Sequence, residues 1–162
     1  MERNIRLRNM TSVYFTEGER LLCLYRVGSR VANNKYVGAA GGHFEKEELN
    51  DPKTCVLREM KEELGLSRED VIGLTLRYIT HRLADGEIRQ NYYFFGQLNR
   101  EPAQSSEGVL RWVPFEEVPG LSMPVSTKHM ILHYLNEGRF TDKLYCGVTE
   151  EHSTRFVEMK EF

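Results

Sequence analysis

Cysteine is scarce in this chain of 162 residues, and the cysteines show no pairing pattern. Cys23, Cys55 and Cys146 are odd in number and far apart in the sequence. A zinc knuckle or a redox dithiol has two cysteines close together, so the spacing argues against both kinds of site. We expect three reduced, mostly buried thiols, as in a cytosolic protein.

Long apolar segments are also missing. No stretch approaches the roughly 20 consecutive apolar residues that a membrane-spanning helix needs. The segment MERNIRLRNMTS at the start carries basic residues without the apolar run that follows them in a secretory signal. The sequence therefore predicts a cytoplasmic protein with no membrane partner.

Neither sign of charge dominates, because 22 basic residues stand against 24 acidic ones and the formal net charge is −2. This balance gives no electrostatic reason to expect duplex nucleic acid as a partner. Repeats, low-complexity tracts and linkers are absent from the sequence as well. With 40% apolar and 28% charged residues, the composition predicts one globular domain over residues 1–162.

Alternating apolar runs and turn residues predict a mixed α/β (α+β) domain with more strands than helices. Gly18 and the Asp85-Gly86 pair lie between such runs and predict two β-hairpins. A second helix is expected before Gly138, with Ser126 as its N-cap. The strand-like runs are residues 10–16, 21–26, 36–40, 72–83, 87–98, 108–115, 143–148 and 155–159.

The first helix has the clearest boundaries in the sequence. Asp51 is a good N-cap, and Pro52 fits the first helical position, where a missing N–H costs nothing. Gly65 follows the last apolar position and is a typical residue just beyond a helix end. A helix over residues 52–64 is the prediction.

This helix carries three glutamates on one face. At about 100° per residue, Glu62 and Glu63 fall within about 60° of Glu59 on the helical wheel. Like charges at this spacing cost roughly 0.2–0.5 kcal/mol per pair, so a solvated acidic face is one interpretation. A metal site is the other, because a Gly41-Gly42 turn precedes the helix. Glycine carbonyls can approach closely, and Mg²⁺ prefers carboxylate and carbonyl oxygens.

The spacing of these residues resembles a known family motif. Gly42-x5-Glu48, followed by REMKEELGL at residues 58–66, resembles the Nudix box, G-x5-E-x7-R-E-U-x-E-E-x-G-U, where U is apolar. The second half matches at every specified position. Nine residues instead of seven separate Glu48 from Arg58, which leaves the role of Glu48 open. Ala40 and Glu47 also stand where the family usually has proline and glycine.

The resemblance, which covers residues 42–66 as the box, implies a fold and an activity. The implied fold is a Nudix-type α/β/α sandwich with a mixed β-sheet between helices. The implied activity is hydrolysis of the diphosphate linkage in a nucleoside diphosphate joined to another group, with Mg²⁺ or Mn²⁺. A further segment, residues 142–162, would extend this domain.

The resemblance also implies roles for individual residues. Glu59, Glu62 and Glu63 look like the carboxylates that bind the metal and assist the base, and Arg58 looks like the arginine that orients Glu59. The main-chain carbonyl of Gly41 or Gly42 would be a further metal ligand.

Three residues outside the helix are further candidates. MutT-like members place one more acidic residue at the metal site, and Glu107 fits that place, although an exposed loop glutamate would look the same. Arg26, at the end of its strand, resembles a residue that contacts the substrate phosphates; a solvated arginine is the alternative. Phe44 is an aromatic residue that can stack on a nucleotide base, or pack in the core.

The substrate is assigned by elimination. Residues characteristic of ADP-ribose, dinucleoside polyphosphate and NADH hydrolases are missing beyond the box, which favours a MutT-like hydrolase of nucleoside triphosphates, including oxidised ones such as 8-oxo-dGTP. Another nucleoside-diphosphate derivative, such as a nucleotide sugar, remains an alternative, as does a non-catalytic nucleotide sensor. Residues 142–162 are a candidate element for a homodimer or another protein partner.

Overall fold

A mixed β-sheet between two helices organises the chain in the computed structural model, which describes residues 4–28 and 33–160. Within these ranges there are nine strands and two α-helices. The strands are β1 (Arg6–Glu17), β2 (Arg20–Arg26), β3 (Lys35–Gly38), β4 (Ala40–His43), β5 (Val71–Ala84), β6 (Glu87–Leu98), β7 (Gly108–Pro114), β8 (Tyr145–Thr149) and β9 (Thr154–Glu158); the helices are α1 (Pro52–Leu64) and α2 (Val125–Asn136). The predicted α+β sandwich is confirmed.

The strands run in the order β3-β2-β1-β6-β5-β8-β9, with β4 also beside β1 and β7 also beside β2. The pairs β1–β6 and β5–β8 are parallel, and the others are antiparallel. The predicted hairpin β5–β6 forms around Asp85-Gly86, where both residues have positive φ angles of 53° and 74°. The first predicted hairpin, β1–β2, is paired over three positions only.

Strand β1 runs through the middle of the sheet, and its side chains alternate between two cores. Val13 and Phe15 pack in the core beneath α1, together with Met60. Tyr14 points to the other face and packs in the core beneath α2, together with Met130. The alternation of strand side chains therefore separates the two helical layers.

Helix α1 has the bounds that its capping residues predict. The Asp51 carboxylate accepts a hydrogen bond from the Thr54 N–H at 3.1 Å. Gly65 adopts a left-handed conformation with φ of 65°, and its N–H donates to the Lys61 carbonyl. Val56, Met60 and Leu64 are buried on the face toward the sheet, which leaves the glutamates beside that face.

The predicted strand over residues 36–40 is wrong in its extent, because pairing with β2 ends before Ala39. Strand β3 pairs with β2, whereas β4 pairs with β1. Gly41 and Gly42 consequently lie in strand β4, not in the expected turn. A Cβ on Gly41 would stand 2.9 Å from the Cα of Ser12 on β1 and still closer to the Thr11 carbonyl oxygen, so only glycine permits this approach of the two strands.

Helix α2 differs from its prediction at both ends. Ser126 is not the N-cap; it is buried in the first turn and donates to the Thr149 hydroxyl on β8 at 2.9 Å. The helix ends at Asn136, and Gly138 begins a short 3₁₀ turn. A Cβ on Gly138 would overlap the Tyr78 side chain, so this glycine makes room for a buried ring and does not cap the helix.

The last part of the chain extends the same sheet, since β8 pairs with β5 and β9 pairs with β8. Both predicted strands of this segment are confirmed. Its role in a homodimer stays a prediction. Across residues 4–28 and 33–160, the structure contains no helix with the length and apolar character required to cross a membrane.

Candidate active site

Strand β4 brings main-chain atoms against the acidic face of α1. The Gly41 N–H donates to Glu63 Oε2 at 3.3 Å. At Gly42, an added Cβ would lie 2.6 Å from Glu59 Cδ. The glycine pair therefore allows two of the box carboxylates to approach the backbone of β4, which larger residues would prevent.

Arg58 holds several carboxylates with one guanidinium group. Its Nε and Nη2 donate to the two oxygens of Glu48 at 2.7 and 3.0 Å. Its Nη1 donates to Glu59 Oε1 at 2.8 Å and to Glu62 Oε2 at 3.2 Å. Nη2 also donates to the His43 carbonyl at 3.1 Å. The predicted ion pair with Glu62 forms, and Arg58 also contacts the Glu59 carboxylate; its role in orienting that group for catalysis stays a prediction.

Glu48 belongs to this cluster despite the longer spacing in the motif. It ends a 3₁₀ turn, Lys46–Glu48, and its Oε2 also accepts the N–H of Glu45 at 2.9 Å. The side chain is 6% exposed. The hydrogen bonds from Arg58 lower the pKa of Glu48 to about 2. The two extra residues of the motif are accommodated between this turn and Pro52, so they do not displace Glu48.

Glu63 faces a cavity of about 210 Å³ at the other side of β4. Burial raises the pKa of Glu63 to about 7, and the charges of Glu59 and Glu107 act in the same direction. The Gly41 N–H and Arg26 act against them. Helix α1 therefore meets the cavity at Glu63.

Two predicted residues outside α1, Arg26 on β2 and Glu107 in the turn before β7, meet beside Glu63. Arg26 Nη2 donates to Glu107 Oε2 at 3.2 Å, and Arg26 lines the cavity. The buried Nε of Arg26 has no hydrogen-bond partner in the structure. Phe44, in contrast, packs against Tyr92 with ring centroids 5.2 Å apart, and neither ring lines the cavity. The structure thus gives no support to base stacking by Phe44.

Most of the cavity lining comes from residues that the sequence did not single out. Polar side chains at alternate positions of three strands form its floor, and the first turn of α2 covers it: Arg8, Ser12, Thr80, Arg82, Arg89, Asn91, Ser126 and Thr127. No polar alternation in β1 or β6 marks these positions, because Asn9 and Thr11 in β1 and Gln90 in β6 are polar as well. The lining depends on β1 and β6 being neighbours.

The chemistry of the carboxylate cluster fits a hard divalent cation. Carboxylate oxygens and glycine carbonyls are the donors that Mg²⁺ prefers, and Gly42 leaves the space that a Cβ would fill beside Glu59. In the described ranges, no three acidic, histidine or cysteine side chains are grouped closely enough to hold a metal ion together. Oxygens of both Glu59 and Glu62 are engaged by Arg58 in this structure.

A comparison with known families decides the classification. The model of the NUDIX domain matches residues 6–134. This chain belongs to the NUDIX family. With the motif at residues 58–66 intact, the protein is a pyrophosphohydrolase of the Nudix type.

Solved structures of other Nudix proteins share the fold. The mutator MutT protein of Bacillus halodurans is 25% identical, with a TM-score of 0.70, over 92% of this chain and 97% of that one. The MutT protein of Methanosarcina mazei Go1 is 18% identical, with a TM-score of 0.68, over 85% and 99%. A NUDIX hydrolase of Nitrosomonas europaea is 13% identical, with a TM-score of 0.70, over 90% and 80%.

Proposed function

We propose that this Nudix protein hydrolyses the diphosphate linkage of a nucleoside triphosphate or a related nucleotide, with Mg²⁺ or Mn²⁺ as the cofactor. The observation that carries the proposal is the position of Glu63. It joins the carboxylate cluster of α1 to a cavity lined by polar and basic side chains. The similarity of this chain to MutT proteins favours 8-oxo-dGTP as one of the substrates.

Glu59, Glu62 and Glu63, with the carbonyl of Gly41 or Gly42, are the residues that would hold the cation. When bound, a divalent cation neutralises diphosphate charge and lowers the pKa of a water ligand. Arg58 fixes the Glu59 carboxylate through the 2.8 Å contact.

Proton removal from the attacking water requires a nearby carboxylate that is not fully occupied by hydrogen bonds. Glu62 meets this requirement because its side chain is 58% exposed and, within the part of the chain that the structure describes, hydrogen-bonds to Arg58 alone. Glu107 is a further carboxylate at the same end of the cavity, held by Arg26. Both are therefore assigned catalytic roles in the proposal.

Arg26 has a separate role toward the phosphates. Among the described residues, its buried Nε–H has no hydrogen-bond partner, and Arg26 lines the cavity. A buried donor without an acceptor is costly, and a phosphate oxygen of the substrate would satisfy it. Arg26 is thereby the proposed phosphate contact.

The test is release of phosphate and pyrophosphate from a nucleotide panel with Mg²⁺: 8-oxo-dGTP, the ordinary triphosphates, ADP-ribose and a dinucleoside polyphosphate. Loss of one carboxylate should lower kcat about 10²–10⁴-fold in Glu62→Gln and in Glu63→Gln. Glu101→Gln, which changes an exposed glutamate, should retain the rate. Turnover of no nucleotide, or equal rates in wild type and both site variants, would contradict the proposal.

A further inference from the structure

Three arginines occupy directly opposite positions on adjacent strands. Arg8 on β1 pairs in register with Arg89 on β6, and Arg89 pairs with Arg82 on β5. All three line the same cavity. We call them the arginine row. Like charges directly opposite each other in a sheet are destabilising, so the row requires compensating negative charge.

The protein supplies only part of that charge. Glu87 contacts Arg8 at 3.2 Å and Arg89 at 3.7 Å. Asp85 contacts Arg89 at 3.3 Å, but its side chain is 87% exposed. Within residues 4–28 and 33–160, Arg82 forms no ion pair. The buried Nε of Arg89 lies 3.7 Å from Glu87 Oε2, beyond hydrogen-bond distance, and has no hydrogen-bond partner among the described residues. Three arginines against Glu87 and Asp85 therefore leave an excess of positive charge in residues that line the cavity.

The row lies at the end of the cavity remote from the carboxylates. Gly41, which contacts Glu63, pairs with Ser12 on β1. Arg8 is four residues from Ser12 along the strand, which corresponds to roughly 13 Å. Between the two ends lies a row formed by Met10, Asn91 and Thr80.

We propose that the arginine row binds a second anionic group, a phosphate monoester on the ribose of a nucleotide whose diphosphate lies at the carboxylate end. The inference deepens the proposed function and rests on it for the orientation of the nucleotide. Arginine forks match phosphate oxygens with two parallel hydrogen bonds. A neutral base would satisfy donors but would leave the excess charge of the row uncompensated.

The choice of ligand distinguishes a phosphate at the 2′ position of ribose from one at the 3′ position. Calorimetry would compare AMP with adenosine 2′,5′-bisphosphate and with adenosine 3′,5′-bisphosphate. None of the three contains a diphosphate, so the measurement does not depend on hydrolysis. One bisphosphate should bind about tenfold tighter than AMP or better, as expected for a charge-assisted hydrogen bond.

Variants assign the effect to the row. Arg82→Gln should abolish the preference for the bisphosphate, and Arg82→Lys should restore part of it. The matched control Arg68→Gln removes the same charge from an exposed residue outside the cavity and should keep the preference. Melting temperatures of all variants would show that the fold is intact.

Three results would overturn the proposal. The first is equal affinity for AMP and both bisphosphates. The second is a preference that Arg82→Gln leaves unchanged. The third is a preference for GMP over AMP that Arg82→Gln removes, which would assign the row to a guanine base. If the bisphosphate preference is found but neither the panel nor a nucleoside 5′-diphosphate that carries the preferred ribose phosphate is hydrolysed, the arginine row stands and the proposed function fails.

Discussion

The ion clusters at the two ends of the cavity carry excess charge of opposite sign but have a similar arrangement. Next to the end that Glu63 lines, Arg58 is surrounded by Glu48, Glu59 and Glu62. At the other end, Glu87 lies between Arg8 and Arg89. In each case one central ion organises several ions of the opposite sign.

The sign of the excess charge at each end indicates the charge of the ligand that the end would bind. The carboxylate end has more negative than positive groups, which suits a divalent cation. The arginine end has more positive than negative groups, which suits an anion. A ligand complementary to both ends would be polyanionic, with a cation at one end of the cavity and arginines at the other. Substitutions at both ends test this comparison.

The largest effect on stability is expected from Glu48→Gln. The change removes a buried partner of Arg58 and should lower the free energy of unfolding by about 3 kcal/mol. Because the pKa of Glu48 is lowered to about 2 in the folded protein, its contribution is fully present above the ordinary glutamate pKa of about 4.3. It is lost as the pH falls toward 2.

Urea denaturation at pH 6 and pH 3 would measure the contribution of Glu48 to the free energy of unfolding. Wild type should lose more stability between the two pH values than Glu48→Gln does. The neighbouring exposed residue provides the control, Glu47→Gln, whose unfolding should follow wild type at both pH values. Equal stability of Glu48→Gln and wild type at pH 6 would contradict the assigned role of the Arg58–Glu48 pair.

A smaller effect is expected from magnesium at the carboxylate end. Binding at a concentration of 100 times Kd should stabilise wild type by about 2.7 kcal/mol. In Gly42→Ala, the new methyl group would displace the Glu59 carboxylate, so most of this stabilisation should disappear. The metal-free protein should change little, because the displaced group is the end of a flexible side chain.

Thermal melting with and without Mg²⁺ is the measurement. Gly120→Ala is the matched control, because a Cβ there meets open space, and it should respond to Mg²⁺ as wild type does. An unchanged magnesium response in Gly42→Ala would mean that the cation binds elsewhere.

The smallest effect is expected at the arginine end. Glu87→Gln removes the carboxylate that separates Arg8 from Arg89 and should destabilise the protein by about 1 kcal/mol at low salt. The loss should shrink at high salt, where repulsion among the arginines is screened. Denaturant titrations at two salt concentrations would show this. Glu117→Gln, which breaks the exposed pair with Arg111, should have a smaller effect. A loss in Glu87→Gln that does not depend on salt would argue against repulsion within the row.

Local signals predicted helix α1 well. Asp51 and Gly65 act on atoms within four residues of themselves, so their capping roles are visible in the sequence. The same locality placed Glu59, Glu62 and Glu63 on one face, because helical geometry fixes their relative directions. Their catalytic and metal-binding roles stay predictions.

Predictions failed where a distant strand decided the outcome. Gly41 and Gly42 resemble a turn, but pairing with β1 holds them extended. Serine is a favoured N-cap residue, yet the Ser126 hydroxyl donates to Thr149 on β8. In both cases a partner far along the chain supplied the competing hydrogen bonds.

Sequence alone determined the carboxylate cluster, its helix and the family, because these depend on residues within one short motif. Tertiary structure alone decided the arginine end of the cavity. Arg8 and Arg89 lie opposite each other because β1 and β6 are parallel neighbours. The alternation of side chains gives the face of each strand, but it contains no information about which strand lies beside it.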